Sequence, residues 1–338
     1  MVNYVDEVKK LLGDKITLYQ VGGSVRDELL GRTPSDYDFT TPQKPDEIEQ
    51  AIRDAHRKPY LVGKRFGTIG IRINGKVIEI TTFRTEEYLE KNRKPEVQFV
   101  DDLRLDLARR DFTINAIAKD MDGNIIDPFG GGFDILSKVI RCVGKPKDRF
   151  REDPLRILRA ARFSSQLSMS INEFTEGYMK KMSSNILNVS KERWTAELDK
   201  LLMTKEPFSG LDYLMKNRLF NFMIPELSVQ KDYDQNSPYH DFDLWTHTLK
   251  VVCKVSQNID LRWAALLHDI AKPFVATNNK KGFTNYIDHE KLGYEMVIKI
   301  GKHLRWSNDR IESVSGLVLN HLKDNSPLKE ADDSSKRG

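Results

Sequence analysis

Two aspartates stand two residues apart, Asp36 and Asp38 in Asp36-Tyr37-Asp38-Phe39, downstream of a glycine pair in Val21-Gly22-Gly23-Ser24-Val25-Arg26-Asp27. In an extended run, residues i and i+2 project from one face, so the two carboxylates repel unless a cation sits between them. Hard oxygen ligands of this kind suit Mg2+, which a two-metal phosphoryl-transfer site uses to neutralise phosphate charge. Gly22 and Gly23 let the backbone approach an anion closely, and the turn that follows presents N–H groups, Ser24 and Arg26 to a phosphate. Glu79 is an acidic residue in the otherwise apolar run Val77-Ile78-Glu79-Ile80-Thr81. Burial there would be costly without a partner, which makes it the candidate third carboxylate. Taken alone, the aspartate pair also fits a solvated turn and Glu79 a surface-facing strand position. The three features together favour catalysis.

Four more groups carry chemistry. Arg109 and Arg110 can clamp triphosphate oxygens, with Asp111 and Asn115 fixing a ribose hydroxyl or orienting the arginines; an ordinary helix-end ion pair is the other reading. Glu152-Asp153-Pro154-Leu155-Arg156 is open on physics alone. Asp153 makes a good N-cap before Pro154, and Glu152 to Arg156 is an i,i+4 ion-pair spacing. The same stretch puts a carboxylate and a guanidinium on one side, able to meet the hydrogen-bonding edge of a base. Between Val139 and Phe163, eight Lys or Arg face three acids, although the whole chain carries a net +4. Arg156, Arg159 and Arg162 keep i,i+3 spacing, which suits a face tracking a phosphate backbone, or simply a solvated face. Finally, His247 precedes Ala264-Ala265-Leu266-Leu267-His268-Asp269, with His289 beyond it. Imidazole and carboxylate ligands suit a divalent transition metal; His321 is a weaker candidate. His56, His240 and His303 read as surface or core residues.

The elements that must position these groups follow from periodicity. Ile16–Val21, Tyr37–Thr41, Gly67–Ile73, Val77–Phe83 and Asn115–Lys119 read as strands, with helical patterns at Asp46–Ala55 and Asp101–Ala108. Ile73-Asn74-Gly75-Lys76 is a hairpin signal, so an antiparallel or mixed sheet is expected. After Gly130-Gly131-Gly132, which reads as a hinge or an interdomain turn, the pattern turns helical. Asp332–Gly338 is polar and expected to fray. A length of 338 residues allows two to three domains. No apolar run approaches the 18 residues of a membrane span, no secretory signal is visible, and Cys142 and Cys253 lack metal-ligand spacing. A cytoplasmic protein without a membrane partner is expected.

The motifs Gly22–Gly31 with Asp36-x-Asp38, Arg109–Ala116, Asp127–Gly131, Glu152–Arg156, and Glu192-Arg193 with Glu197 and Lys200 resemble, in order, those of the class II tRNA nucleotidyltransferases. These comprise the CCA-adding enzymes and the bacterial poly(A) polymerases. The His-Asp segment resembles the HD phosphohydrolase domain that some bacterial members carry. The resemblance implies an α+β chain: a nucleotidyltransferase head with a mixed β-sheet (1–138), an all-α neck and body (139–227), and a helical HD domain with a short tail (228–338). It implies template-independent addition of CCA to the acceptor end of tRNA from CTP and ATP, releasing pyrophosphate. Asp36, Asp38 and Glu79 would be catalytic, Asp36 and Asp38 holding Mg2+. Gly22, Gly23, Ser24, Arg26, Arg109, Arg110, Asp111, Asn115, Asp153, Arg156, Arg159 and Arg162 would bind nucleotide. Asp153 and Arg156 would select the base. Glu192, Arg193, Glu197 and Lys200 would brace the nucleotide-binding helices. His247, His268, Asp269 and His289 would hold a second metal, and the distal aspartate that the resemblance also implies is not assigned. Addition of A alone or CC alone, poly(A) synthesis, and an HD-type metal-dependent phosphohydrolase are the alternatives. The stretch from Thr82 to Arg109 resembles the flexible loop of full CCA enzymes, which disfavours CC-only addition. Leu61–Phe66 resembles the start of a poly(A) polymerase signature that Gly67-Thr68-Ile69-Gly70 does not complete.

Overall fold

A computed structural model of the chain describes residues 3–87 and 96–337. The chain divides into two compact units, Met1–Glu152 and Asp153–Gly338. The first unit's strands among the described residues include β1 (Tyr19–Val21), β2 (Asp38–Thr41), β3 (Pro59–Tyr60), β4 (Thr68–Ile73), β5 (Lys76–Thr82), β6 (Arg84–Glu87), β7 (Glu96–Phe99), β8 (Ala118–Asp120) and β9 (Ile125–Ile126). Seven form one sheet in the order β3-β4-β5-β2-β1-β8-β9, while β6 and β7 pair separately. The β2–β5 pair is parallel and the other neighbours in this sheet run antiparallel, so the sheet is mixed as the sequence predicts.

Alternation fixes which face does what. In β5, Ile78, Ile80 and Thr82 are buried, whereas Val77 and Glu79 point to solvent. The β2–β5 register sets Phe39 beside Ile80 and Asp38 beside Glu79. Because neighbours in register share a face, the apolar pair goes to the core and the acidic pair to the opposite side. Phe39, Ile69, Ile71, Ile78 and Ile80 pack against Val8 and Leu12 of helix Tyr4–Leu12 and Ile48 and Ile52 of helix Pro45–Asp54. Each helical pair is spaced i,i+4, one stripe of an amphipathic helix. Asn74 and Gly75 have φ of 48° and 84°, the two left-handed residues of a type I′ turn between β4 and β5.

Two expected strands begin later, at Tyr19 and Asp38, so Asp36 lies just before its strand. The expected strand Asn115–Lys119 is corrected more strongly: Thr113–Asn115 form a 3-10 turn and pairing starts at Ala118. The buried Asn115 accepts from Arg26 and donates to Asp111, bonds a flat pleat would not bring together. Part of the expected loop between Thr82 and Arg109, residues 88–95, lies outside the described residues.

The second unit is helical. Helix Leu155–Leu167 packs against Lys191–Leu202 and Phe208–Lys216. Gly210 lets helix Phe208–Lys216 come close: its N–H donates to Ser165 Oγ at 2.8 Å, and a Cβ there would lie 2.4 Å from the Ala161 carbonyl oxygen. The expectation that Arg156, Arg159 and Arg162 form an exposed basic stripe is overturned for two of them, since Arg156 and Arg162 are buried. The C-terminal half stacks helices Leu244–Lys254, Ile259–Leu267, His289–His303 and Asn308–Leu319. The segment expected to fray instead continues a helix, Lys329–Ser335, docked on Leu244–Lys254. Its buried residues Leu328, Ala331, Asp332 and Ser335 follow i, i+3, i+4, i+7 spacing, but three of the four are small or polar, so hydrophobicity does not reveal the stripe. Among the described residues no helix is long and apolar enough to cross a membrane.

Phe39→Ala removes a fully buried ring from the sheet core and is expected to destabilise the chain by about 3–5 kcal/mol. Val77→Ala on the exposed face should shift it by about 0.5 kcal/mol or less, both read by urea unfolding.

Candidate functional site

On the acidic side of the first unit, Asp36, Asp38 and Glu79 are all solvent-exposed. Glu79 is therefore not the buried carboxylate its apolar flanks suggested; those flanks belong to the other face of β5. Surrounding protein still strips water from Asp38 and raises its pKa, an effect the Glu79 and Asp36 charges reinforce and Arg110 opposes. This is the electrostatic signature of a place that favours a cation. The three do not close into a cage whose ligand atoms all lie within 4.8 Å of one another.

Gly22 sits against this group with φ 73°. A Cβ on it would lie 2.9 Å from Arg110 Nη1 and 3.9 Å from Asp38 Oδ2, so glycine is required twice, for its backbone and for the space. Ser24 donates to the Val21 carbonyl at 3.0 Å. Arg26, 4% exposed, donates to Asp27 from Nε and Nη2 at 2.9 and 2.7 Å, and to Asn115 Oδ1 from Nη1 at 2.7 Å. Asn115 passes the chain on to Asp111 Oδ1 at 3.0 Å. In this structure Arg26, Asn115 and Asp111 thus form a frame that ties the glycine turn to the arginine segment.

Arg109 and Arg110 converge on a residue the sequence reading missed. Asp106 is fully buried. It takes Arg109 Nε at 3.0 Å and faces Arg110 Nη2 at 3.6 Å, while Glu86 takes Arg109 Nη1 and Arg84 Nη2 at 2.9 Å each. Burial lowers the pKa of Arg110, with Asp106 the main opposing influence and Arg109 adding to the fall. The available signal was Asp106 at i,i+3 and i,i+4 from the two arginines.

In the second unit, Asp153 Oδ1 accepts the Leu155 N–H at 3.1 Å at a helix start, and its Oδ2 takes Arg193 Nη2 at 2.8 Å. Glu152, at the end of the first unit, pairs with Arg149 at 2.5 Å. Arg162 Nε meets the buried Glu197 at 2.7 Å, and Lys200 meets its other oxygen at 3.3 Å. Burial works against ionised Glu197, but Arg162 overrides it and the pKa falls below the ordinary 4.5.

The histidines form the tightest constellation. His247, His268, Asp269 and Asp332 place their ligand atoms within 4.8 Å of one another, and Asp269, His289 and His321 do the same. His247 Nε2 lies 3.0 Å from Asp332 Oδ1 and 3.6 Å from Asp269 Oδ2; His268 Nε2 lies 3.7 and 3.1 Å from those oxygens. Asp332, which the sequence reading left unassigned, stands where a distal aspartate would complete the first group. Burial disfavours a charged His268, yet Asp269 and Asp332 override it and hold its pKa up at about 10. Burial takes His321 down to about 4, with His268 adding to the fall. Asp332 itself is held far below the usual carboxylate range by His247 and His268, against the effect of burial. His240 stacks edge-on to His247 at 5.3 Å without joining either group.

The sequence matches the family model of the poly A polymerase head domain over residues 18–141. It matches that of the probable RNA and SrmB-binding site of polymerase A over 168–231, and that of the HD domain over 244–336. It is 46% identical over 203 residues to the CCA-adding enzyme of Bacillus subtilis (strain 168), covering 60% of this chain and 50% of that protein. The chain belongs to the class II tRNA nucleotidyltransferase family. Another tRNA nucleotidyltransferase of the family, the CCA-adding enzyme of Staphylococcus epidermidis, is 41% identical over 245 residues, 72% of this chain and 60% of that one. The matches thus span about half to three-fifths of these relatives' length. The crystal structure of the Bacillus stearothermophilus CCA-adding enzyme in complex with CTP superposes with a TM-score of 0.67 at 29% identity, covering 98% of this chain and 80% of that one.

Glu197→Gln is expected to destabilise the second unit by about 3 kcal/mol at pH 7, because a buried guanidinium loses its carboxylate. A depressed pKa contributes stability above the unfolded value and loses it as pH falls through the folded one. The gap between wild type and variant in urea unfolding should therefore shrink below about pH 4.5.

Proposed function

We propose that this chain adds CCA to the 3′ end of tRNA from CTP and ATP without a nucleic-acid template. The observation that carries the proposal is membership of a family whose relatives at 46% and 41% identity are CCA-adding enzymes, combined with the Asp38–Glu79 register beside Gly22 and Arg110. In this reading the chain works as a head (1–138), a neck and body (139–227) and an HD domain (228–338).

Asp36 and Asp38 would hold Mg2+, their all-oxygen chemistry and the raised pKa of Asp38 fitting a hard cation. Such an ion supplies charge neutralisation for the attacking and leaving oxygens of an in-line displacement at the α-phosphate, with pyrophosphate departing. Glu79 adds a carboxylate at the neighbouring register position. The N–H groups after Gly22 and Gly23 receive phosphate oxygens, Ser24 and Arg26 fixing that turn. Arg109 and Arg110, oriented by Asp106 and Glu86, attract the triphosphate, and Asp111 and Asn115 set their neighbourhood. Asp153 and Arg156 read the base edge of C or A, with Arg159, Arg162 and Glu197 bracing their helix. A second divalent cation, of transition-metal type, belongs to His247, His268, Asp269 and Asp332, whose nitrogen and oxygen donors fit it and favour a phosphohydrolase reading of the HD segment.

Incubating tRNA that lacks CCA with each nucleotide separates the readings. CTP alone should add two residues, ATP alone none, and both together three; long adenylate tails from ATP would identify a poly(A) polymerase instead. Asp36→Ala with Asp38→Ala should abolish incorporation. Asp153→Ala with Arg156→Ala should erase the preference for C and A over G and U. Asp153→Asn tests the same point if the double variant melts early, and an unchanged preference with either would reject the assignment.

A further inference from the structure

A basic groove crosses the second unit, lined by none of the residues assigned to nucleotide, base or metal. It runs between helix Glu173–Lys181, the end of helix Phe208–Lys216 and the segment that follows. Two adjoining hollows of about 440 and 290 Å³ share Lys180, Lys216 and Lys231 and so form one groove. The smaller adds Arg218, Asn221 and Ser228 and has no acidic residue in its wall. Glu173 and Glu176 line only the larger, where Asn217 Nδ2 donates to Glu176 at 3.3 Å. Lys180, Lys216, Arg218 and Lys231 are all exposed. Lys216 is tied to Asp212 at 2.6 Å, whereas among the described residues no ion pair engages the other three. Cations gathered in this way repel one another, and a polyanion laid along them relieves the repulsion while shedding its own counterions.

Two residues of the groove are poor choices for the backbone they occupy. Gly177 is the fifth residue of a nine-residue helix, where alanine would hold the backbone better. Nothing in the fold asks for glycine there, because a Cβ would meet no atom of the described residues within 4 Å beyond its own helix backbone. What remains is a stretch of bare helix on the groove wall. Arg218 is the opposite case. Helix Phe208–Lys216 closes with the Arg218 N–H on the Met215 carbonyl at 3.0 Å and the Leu219 N–H on that of Leu214 at 2.9 Å, which puts Arg218 in the left-handed region at φ 64°. Glycine fits that position without strain, yet the chain places a long cation there. One position thus gives up a side chain that would narrow the groove, and another accepts strain to present a guanidinium to it. Departures from local preference with no structural return point to function.

We propose that this groove docks the sugar–phosphate backbone of the tRNA substrate, with Lys180, Lys216, Arg218 and Lys231 meeting phosphate oxygens and Gly177 letting the strand lie close. A phosphate carries its charge on the chain itself, whereas an acidic peptide carries it at the end of side chains, so a wall stripped of its Cβ favours the nucleic acid. The inference rests on the tRNA reading and adds to it a contact that fixes position without reading any base.

Filter binding of the full-length chain to tRNA lacking CCA, across a salt series, tests this beside incorporation from CTP. Arg218→Gly is expected to weaken tRNA binding about fivefold and to flatten the slope of log affinity against log salt by about one. Arg218→Lys, which keeps the charge, should keep the slope. Gly177→Ala should weaken binding with the slope unchanged while the melting temperature rises. None should alter KM for CTP. Alanine at 177 and glycine at 218 suit the backbone better than the native residues, so lost binding in those variants is not lost folding. Unchanged affinity and slope in both would overturn the groove as the docking site, even in a chain that adds CCA. Binding that falls as expected in a chain that adds no nucleotide would support the groove and reject CCA addition.

Discussion

Everything on the acidic side of the first unit depends on one strand pairing. β2 and β5 run parallel with Asp38 beside Glu79 and Phe39 beside Ile80, so a single register assigns one residue pair to the apolar core and the next to the chemistry. A slip by one residue would send carboxylates into the packing of Ile69, Ile71 and Ile78 and turn aromatic surface outward, at a cost no local adjustment could offset. The core therefore does more than hold the sheet together. By making Phe39 unable to face water cheaply, it keeps Asp36 and Glu79 close enough for their charges to act on Asp38. The turn at Gly22 then brings Arg110 to the same place, and Asp106 holds that arginine from behind.

The two acidic groups of the chain solve different problems. Asp36, Asp38 and Glu79 are open, all-oxygen and loosely gathered, which suits an ion that keeps several waters and meets substrate phosphates. The HD constellation is buried, rich in imidazole and already drawn together, which suits a softer ion held by the protein itself. Each unit also carries ion pairs that hold guanidinium groups in fixed directions, Arg109 with Asp106 and Glu86 in the first and Arg162 with Glu197 in the second. Bidentate or paired arginines of this kind give geometry before they give stability.

The sequence carried the head well where a local rule sufficed. Asn74-Gly75 named its turn, alternation found β4 and β5, and the glycine pair with Asp36 and Asp38 marked the acidic group. It failed where tertiary partners decide. Asn115 looked like strand because nothing local shows that Arg26 and Asp111 will claim its side chain. Glu79 looked buried because its apolar neighbours occupy the other face of the same strand. Arg156 and Arg162 looked like a solvated stripe, since spacing alone cannot say that Glu197 awaits on another helix. Asp332 was lost for the opposite reason. Its helix buries alanine, serine and aspartate, residues whose packing depends on small size and hydrogen bonds, and a polar run of that composition reads as an unstructured end.

That helix has a further consequence. His247 and Asp332 are 85 residues apart in sequence, yet their side chains meet at 3.0 Å. A cation gripping both would be a reversible cross-link, closing a long loop whose ends the unfolded chain brings together only rarely. Such a link acts on the disordered ensemble as much as on the folded one. The ion at this position would therefore set how tightly the last helix is tied to the rest, and chelation would slacken the fold from its C-terminal side.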